Sequence, residues 1–187
     1  RHHPIIFSHI LERLTALIIV MFGETIVGIA DYFTRETLSW PSILIFLVVV
    51  GLFFTYIVEF DHLIDEHRCK ETGNLLIYLH YFILFGLSMV TVALRFIHEP
   101  EANHVFAVTF LYVGILLFYI GLDIANYYNQ RHLRVSPVVK GAFIAVPLAG
   151  YLVSLTSHEF ALLTLVAALV TVINAGMLVR FLIKQNQ

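Results

Sequence analysis

The sequence has little of what small secreted or nucleic-acid-binding domains depend on. Its 187 residues include one cysteine, Cys69, and only 13% are Asp, Glu, Lys or Arg. A single cysteine excludes an internal disulfide and a cysteine-based metal cluster within one chain. Eleven Lys and Arg residues against thirteen Asp and Glu residues give no basic surface for nucleic acid. The composition also excludes a disordered chain.

Apolar sequence is what the chain has in excess. Hydrophobic residues make up 59% and the mean hydropathy is +0.87, whereas a soluble domain is about 45–50% apolar. A membrane-crossing helix needs about 20 apolar residues. We therefore predict an all-α, polytopic transmembrane bundle that forms a single integral membrane domain over residues 1–187. Its six spans are predicted at about residues 9–31, 41–60, 75–97, 105–128, 138–157 and 160–182.

The orientation follows from the positions of Lys and Arg. Of the eleven, only Arg35 and Arg95 lie on one side of the predicted membrane. The others lie on the side of both termini, which the positive-inside rule places in the cytoplasm. Cys69 then faces a reducing compartment, which suits a free thiol.

A carboxyl group inside the first span is the most informative polar residue. Glu24 lies on one predicted helical stripe with Arg13 and Asp31, because 11 and 7 residues each return to within about 20° of the same face. Ionisable groups inside a membrane usually face a protein interior or a water path. Two interpretations stay open: a proton or cation relay, and a packing carboxyl that is protonated or hydrogen bonded.

Other spans offer partners for such a relay. Arg95 either acts as a counter-charge near the outer side of the membrane or extends its side chain outward to the interface. His80 is a proton shuttle near the cytoplasmic face or an ordinary interfacial histidine. Asp123, on a stripe with Tyr112, Tyr119 and Asn126, is a path residue or a solvated helix end. We expect Asn174 to hydrogen bond between helices.

The second predicted loop is rich in metal-ligand types but lacks a metal motif. It contains Glu59, Asp61, His62, Asp65, Glu66, His67 and Arg68. His62 and His67 are five residues apart, about 140° around a helix, so they miss the i,i+4 spacing of zinc motifs. We predict no metal and no catalytic residue, with His62, Glu66 and His67 as the only metal candidates. No cofactor is predicted either, since no lysine lies in mid-helix for a Schiff base.

The first span carries a recognisable pattern. His9, the pair Glu12-Arg13, an aliphatic run and then Gly23-Glu24 resemble the bacterial low temperature requirement protein A (LtrA) family, as does Asp61 after an aromatic residue. The resemblance implies that these six are motif positions and that the membrane is the bacterial cytoplasmic (inner) membrane. It also implies that the chain is the C-terminal part of a longer protein, whose N-terminal half is a partner.

Three functions compete. The first is a transporter or ion-conducting protein that uses an intramembrane carboxylate, with Glu24, Arg13, Arg95, Asp123 and His80 along its path. The second is a membrane sensor or scaffold, linked by the family resemblance to cold or stress adaptation, whose charges assemble helices or subunits. The third, a membrane-embedded metal-dependent enzyme, has weaker support. The expected partners are the lipid bilayer and, for an assembly, further copies of the chain.

Overall fold

Six helices make up most of the described chain. The computed structural model describes residues 7–68, 71–97 and 102–185. The helices are α1 (Phe7–Gly28), α2 (Trp40–Ile57), α3 (Asn74–Phe96), α4 (His104–Ala125), α5 (Pro137–Ser154) and α6 (Phe160–Gln185). The predicted all-α fold is confirmed, and each predicted span coincides with one helix. Cys69, predicted as a free thiol, lies outside the described residues.

Local sequence explains where the helices begin. The side chains of Asn103 and Ser136 accept hydrogen bonds from the backbone at the first turns of α4 and α5, and Ser39 and Ser42 form a capping box at α2. Pro137 occupies the first turn of α5, where a missing N–H costs nothing. Gly73 supplies the positive φ of 70° that precedes α3.

Five of the helices in the described ranges are long and apolar enough to cross a membrane. They are α2 with its extension to Leu63, α3, α4 with its extension to Tyr128, α5 and α6. The length of α1 is sufficient, but it carries Glu12, Arg13 and Glu24. Six spans is therefore one more than the described helices support on length and composition.

Contacts between helix termini define two ends of the bundle. At the first, which we call the Glu59 end, the ring of Phe7 at the start of α1 lies 5.1 Å from that of Tyr128 after α4. At the second, the Arg95 end, Arg95 near the end of α3 donates to the carbonyl of Gly28 at the end of α1. Helices α1 and α3 therefore run in the same direction through the bundle, and α4 runs in the opposite direction.

The tightest helix pair is α3 with α4, which cross at two glycines. A methyl group on Gly86 would lie 2.6 Å from the carbonyl oxygen of Gly114. A methyl group on Gly114 would lie 2.8 Å from the carbonyl oxygen of Gly86. Only glycine allows backbones to approach this closely, as is common between membrane helices.

Gly86→Ala should therefore lower the stability of the bundle. Because the obstructing atoms are backbone, they have little room to move, and overpacking of this kind costs about 1–3 kcal/mol. Gly176→Ala in α6 is the matched control, since nothing lies within 4 Å of its added methyl group. Thermal unfolding in detergent compares the two. Equal unfolding temperatures would contradict the close crossing.

Candidate functional site

A buried carboxyl group lies where α2 changes its winding. After Ile57 the helix continues as a π-helix over Val58–Leu63, in which the Ile64 N–H donates to the Glu59 carbonyl at 3.2 Å. Such π-helical turns often occur at functional sites. The side chain of Glu59 is fully buried, and it is the only buried acidic side chain among residues 7–68, 71–97 and 102–185.

A short backbone pairing holds this turn against the end of α4. The Asp65 N–H donates to the Tyr128 carbonyl at 3.0 Å, and the Gln130 N–H donates to the Leu63 carbonyl at 2.9 Å. These bonds flank Asn129, whose side-chain amide donates to Glu59 Oε1 at 2.7 Å. The carboxyl group is thus bound by a residue that the pairing fixes in place.

The amide of Asn129 is itself oriented by a second asparagine. Asn126 Oδ1 accepts from the backbone N–H of Val135 at 2.7 Å and from Asn129 Nδ2 at 3.3 Å. Two buried oxygens of this group, Glu59 Oε2 and Asn129 Oδ1, have no hydrogen-bond partner within the described part of the chain. Buried polar atoms without a partner are rare in native structures, so these two are available to a small polar ligand or a proton.

An ion pair lies beside the carboxyl group. Lys140 Nζ, in the first turn of α5, lies 3.0 Å from Asp123 Oδ1 in α4. Both side chains are half-buried, and both act electrostatically on Glu59. The predicted path residue Asp123 therefore belongs to this site, where a lysine compensates its charge.

His80 of α3 packs against α2 and the π-helical turn that follows it. Its Nδ1 is 2.6 Å from the Leu76 carbonyl, which can only accept, so Nδ1 carries a proton. Its Nε2 lies 3.2 Å from the Tyr56 hydroxyl, and its ring lies edge-on to that of Phe60, 4.9 Å away. Tyr56 and Phe60 directly follow Thr55 and Glu59, so His80 is near the carboxyl site but bonds elsewhere.

Glu24 and Arg13 lie apart from this site. Both are on the exposed side of α1, and no atom lies within 4 Å of a methyl group built on the neighbouring Gly23. The buried side of α1 consists of Phe7, Leu11, Ile18, Phe22, Thr25 and Gly28. The structure therefore does not bring Glu24 together with Asp123 or His80.

Arg95 lies at the opposite end of the bundle. Its Nε donates to the Gly28 carbonyl at 3.1 Å, one turn from the 2.8 Å hydrogen bond between Thr25 and Thr91. Near these bonds is a cleft of about 550 Å³, which Asp31 and Glu36 also line. Arg95 thus joins α1 to α3 and does not reach Glu24 or Glu59.

The family-motif residues cluster on the outside of the bundle. Glu12 and Asp61 line one cleft of about 680 Å³ between α1 and the segment after α2. His9 lies 3.8 Å from Glu12, and His62 lies 3.4 Å from Asp61, all with exposed side chains.

The metal candidates do not form a site. His67 Nε2 lies 3.4 Å from Glu66, its neighbour in sequence, on exposed side chains. The described ranges contain no group of three or more His, Cys, Asp or Glu residues that could hold a metal ion.

Sequence reasoning missed Glu59 and Asn129 as site residues. Glu59 was assigned to a charged loop, although it shares a helical face with Leu52 and Thr55, which are buried. That i, i+3, i+7 spacing was the available signal. No sequence signal marks Asn129, because its position is fixed by backbone pairing between two segments 65 positions apart.

Apolar helices long enough to cross a bilayer, packed around a buried carboxyl group, define a polytopic α-helical membrane protein. The family model described as bacterial low temperature requirement A protein (LtrA) matches residues 1–175. The chain belongs to this family, as the pattern in α1 indicated. Comparison with curated proteins gives no match. Comparison with solved structures gives none either.

Asn129→Leu should destabilise the Glu59 end. The substitution removes the one donor that the described residues offer to a buried carboxyl group, and an unsatisfied buried group costs about 1–3 kcal/mol. Asn74→Leu is the control, because Asn74 is an exposed asparagine at the start of α3. Chemical unfolding in detergent measures both variants. If Asn129→Leu is as stable as Asn74→Leu, the Glu59–Asn129 hydrogen bond is not important to folding.

Proposed function

We propose that the protein conducts protons across the bacterial inner membrane along polar side chains on one side of α4, with Glu59 as the intramembrane carboxyl group. The observation that carries this proposal is the fully buried Glu59, whose Oε2 has no partner among the described residues. Ionisable groups inside membrane proteins are functional by default, because their insertion is costly. The carboxyl group gains and loses the transferred proton, and Asn129 keeps it in position.

A polar stripe along the full length of α4 supports the route. The stripe lies within an arc of about 140° and extends over about 33 Å, given 100° and 1.5 Å per residue. Its members are His104, Thr109, Tyr112, Tyr119, Asp123 and Asn126. A length of about 30 Å equals the hydrocarbon thickness of a bilayer.

Other helices extend the stripe with polar partners. In α5, Ser154 lies 2.9 Å from the Tyr112 hydroxyl and Tyr151 lies 3.0 Å from Thr109. Beyond them, the rings of His104 and His158 are 4.1 Å apart at the Arg95 end. Hydroxyl and imidazole groups both donate and accept, as proton transfer requires.

The proposed orientation of the bundle in the membrane follows from the positions of its Lys and Arg residues. Arg68, Arg131, Arg134 and Lys140 belong to the Glu59 end, and positive residues favour the cytoplasmic side. The Glu59 end is therefore proposed as cytoplasmic, with the His104–His158 pair at the outer side.

Proton flux into liposomes under an imposed potential tests the role of Glu59. Glu59→Gln keeps the shape and an acceptor for Asn129 but cannot exchange a proton. We expect flux to fall by about 100-fold, a typical loss on removal of a proton-transfer group. The fold should survive.

Glu24→Gln is the matched control, since Glu24 is a carboxyl group on the exposed face of α1. Its flux should equal that of the unmodified protein. Loss of flux in Glu24→Gln alone would instead favour the first span as the ion path. Equal flux in all three proteins would reject a carboxyl-dependent route.

The exposed face of α1 favours a second role, in assembly. Val20 and Val27 are 68% and 67% exposed, and Glu24 lies between them. A carboxylate facing lipid is costly, whereas a further helix can satisfy it with a hydrogen bond. We propose that this face packs against another membrane helix, from the N-terminal half of the protein or from a second copy.

Spin labels distinguish packing from lipid exposure. With Cys69 replaced by serine, a nitroxide at Val20→Cys in the full-length protein should be shielded from oxygen. A nitroxide at Val172→Cys on α6, where Val172 is 45% exposed, should be accessible to oxygen dissolved in lipid. Equal accessibility at both positions would show that lipid, not protein, covers α1.

A further inference from the structure

Opposite charges line the cleft at the Arg95 end without pairing. The volume of this cleft is about 550 Å³, within the range of about 300–1,000 Å³ that is typical of small-molecule sites. Arg95, Asp31 and Glu36 all line it, and none of the three forms an ion pair within residues 7–68, 71–97 and 102–185. The cleft therefore combines one positive and two negative side chains that stay apart from one another.

The guanidinium group of Arg95 is held in place by α1. Its Nε donates to the Gly28 carbonyl at 3.1 Å, and a methyl group on Gly28 would lie 3.2 Å from its Nη2. This hydrogen bond uses one of the five N–H donors of an arginine. Acceptors on the described residues use none of the others. Four donors thus remain for a ligand, on a side chain that is already oriented.

Both carboxylates belong to one ordered turn after α1. The Thr37 hydroxyl donates to the Asp31 carbonyl at 2.5 Å, and it lies 2.7 Å from the hydroxyl of Thr34. The Leu38 N–H donates to the Thr34 carbonyl at 3.0 Å. These bonds fix the segment that carries Asp31 and Glu36 beside the cleft.

Two aromatic rings give the same cleft an apolar wall. The rings of Tyr32 and Phe160 are stacked, 5.9 Å apart, and both residues line the cleft. The Tyr32 hydroxyl donates to the Leu94 carbonyl, which ties this wall to α3. An apolar surface with a few well-placed polar groups is the usual composition of a ligand site.

The cleft lies where membrane-crossing helices end. Arg95 is near the end of α3, Ser39 precedes α2 and Phe160 begins α6, and all three helices are long and apolar enough to cross a bilayer. The polar headgroups of the bilayer begin at the ends of such helices. Trp40, next to Ser39, is 67% exposed, and tryptophan is enriched at this level. Lipid headgroups and dissolved molecules can therefore both reach the cleft.

We propose that this cleft binds a zwitterion, a ligand that carries an anionic group and a primary ammonium group. Arg95 binds the anionic group, a carboxylate or phosphate, through its remaining N–H donors, and Asp31 and Glu36 bind the ammonium group. An anion alone would be repelled by the two carboxylates, and a cation alone by Arg95. The headgroup of phosphatidylethanolamine and a free amino acid share this chemistry. The site is independent of the proposed proton route through Glu59, which lies at the other end of the bundle.

Two binding measurements on the full-length protein distinguish the lipid from the dissolved ligand. Native mass spectrometry counts the lipids retained from micelles with equal amounts of phosphatidylethanolamine and phosphatidylglycerol, which has the phosphate but no ammonium group. Equilibrium binding of a radiolabelled amino-acid mixture tests the dissolved source. We expect either retention of phosphatidylethanolamine over phosphatidylglycerol or binding of the labelled amino acids. If neither is observed, the proposal is wrong.

Substitutions assign the binding to this cleft. Glu36→Gln and Arg95→Gln should each weaken binding of the retained probe by about tenfold, the loss expected for one charge-assisted hydrogen bond. Arg35→Gln is the matched control, because Arg35 is an exposed arginine beside Glu36 that does not line the cleft. Equal affinity in Glu36→Gln and Arg35→Gln would overturn the proposal. That comparison is decisive even if Arg95→Gln fails to fold, because Glu36 is exposed and its substitution leaves the helix contacts unchanged.

Discussion

An unpaired polar group inside an apolar bundle is costly, and this constraint governs how the helices meet. In the absence of water, every buried donor or acceptor needs a partner from the protein. At the Glu59 end, the Asn129 amide is the partner of Glu59 Oε1, and the backbone of Ile64 pairs with that of Asn129. Between α1 and α3, the hydroxyl groups of Thr25 and Thr91 are hydrogen bonded to each other. At Glu59 Oε2 and the amide of Asn174, no atom in the described part of the chain meets the constraint.

The same constraint separates α1 from the other helices. Helices α2 to α6 expose mostly apolar side chains, which suit lipid, and direct their polar groups inward or to their ends. Helix α1 does the reverse with Glu24, which lies on its exposed side. A charge on that side is consistent with a protein neighbour, not with lipid. The two carboxyl groups therefore differ in environment: Glu59 lies in the interior of this bundle, and Glu24 on its outer surface, where the second proposal places a helix contact.

Apolar runs were enough to predict the helices. Each predicted span coincides with one helix, because length and hydropathy are local properties of the chain. The family pattern in α1 was also readable, since it is a fixed spacing of charged residues. The burial of Glu59 was not predicted: it lies at the end of the predicted second span, but it was grouped with the charged residues that follow, and the π-helical turn that carries it has no sequence signature. Asn129 depends on contacts between distant segments, and no local pattern encodes them.

The packing along α4 favours protons over larger ions in the proposed route. Tyr112 and Tyr119 are buried, and a methyl group on Gly150 would come within 3.0 Å of the Tyr112 ring. A hydrated cation would need these side chains to move apart. A proton needs only hydroxyl, carboxyl or water groups at hydrogen-bond distance, since it passes from one to the next without displacing them. The links from Tyr112 to Ser154 and from Thr109 to Tyr151 already have that spacing. The interval between Tyr112 and Tyr119 is longer, about 10 Å along α4, so under the proposed function it is the slowest step of the route.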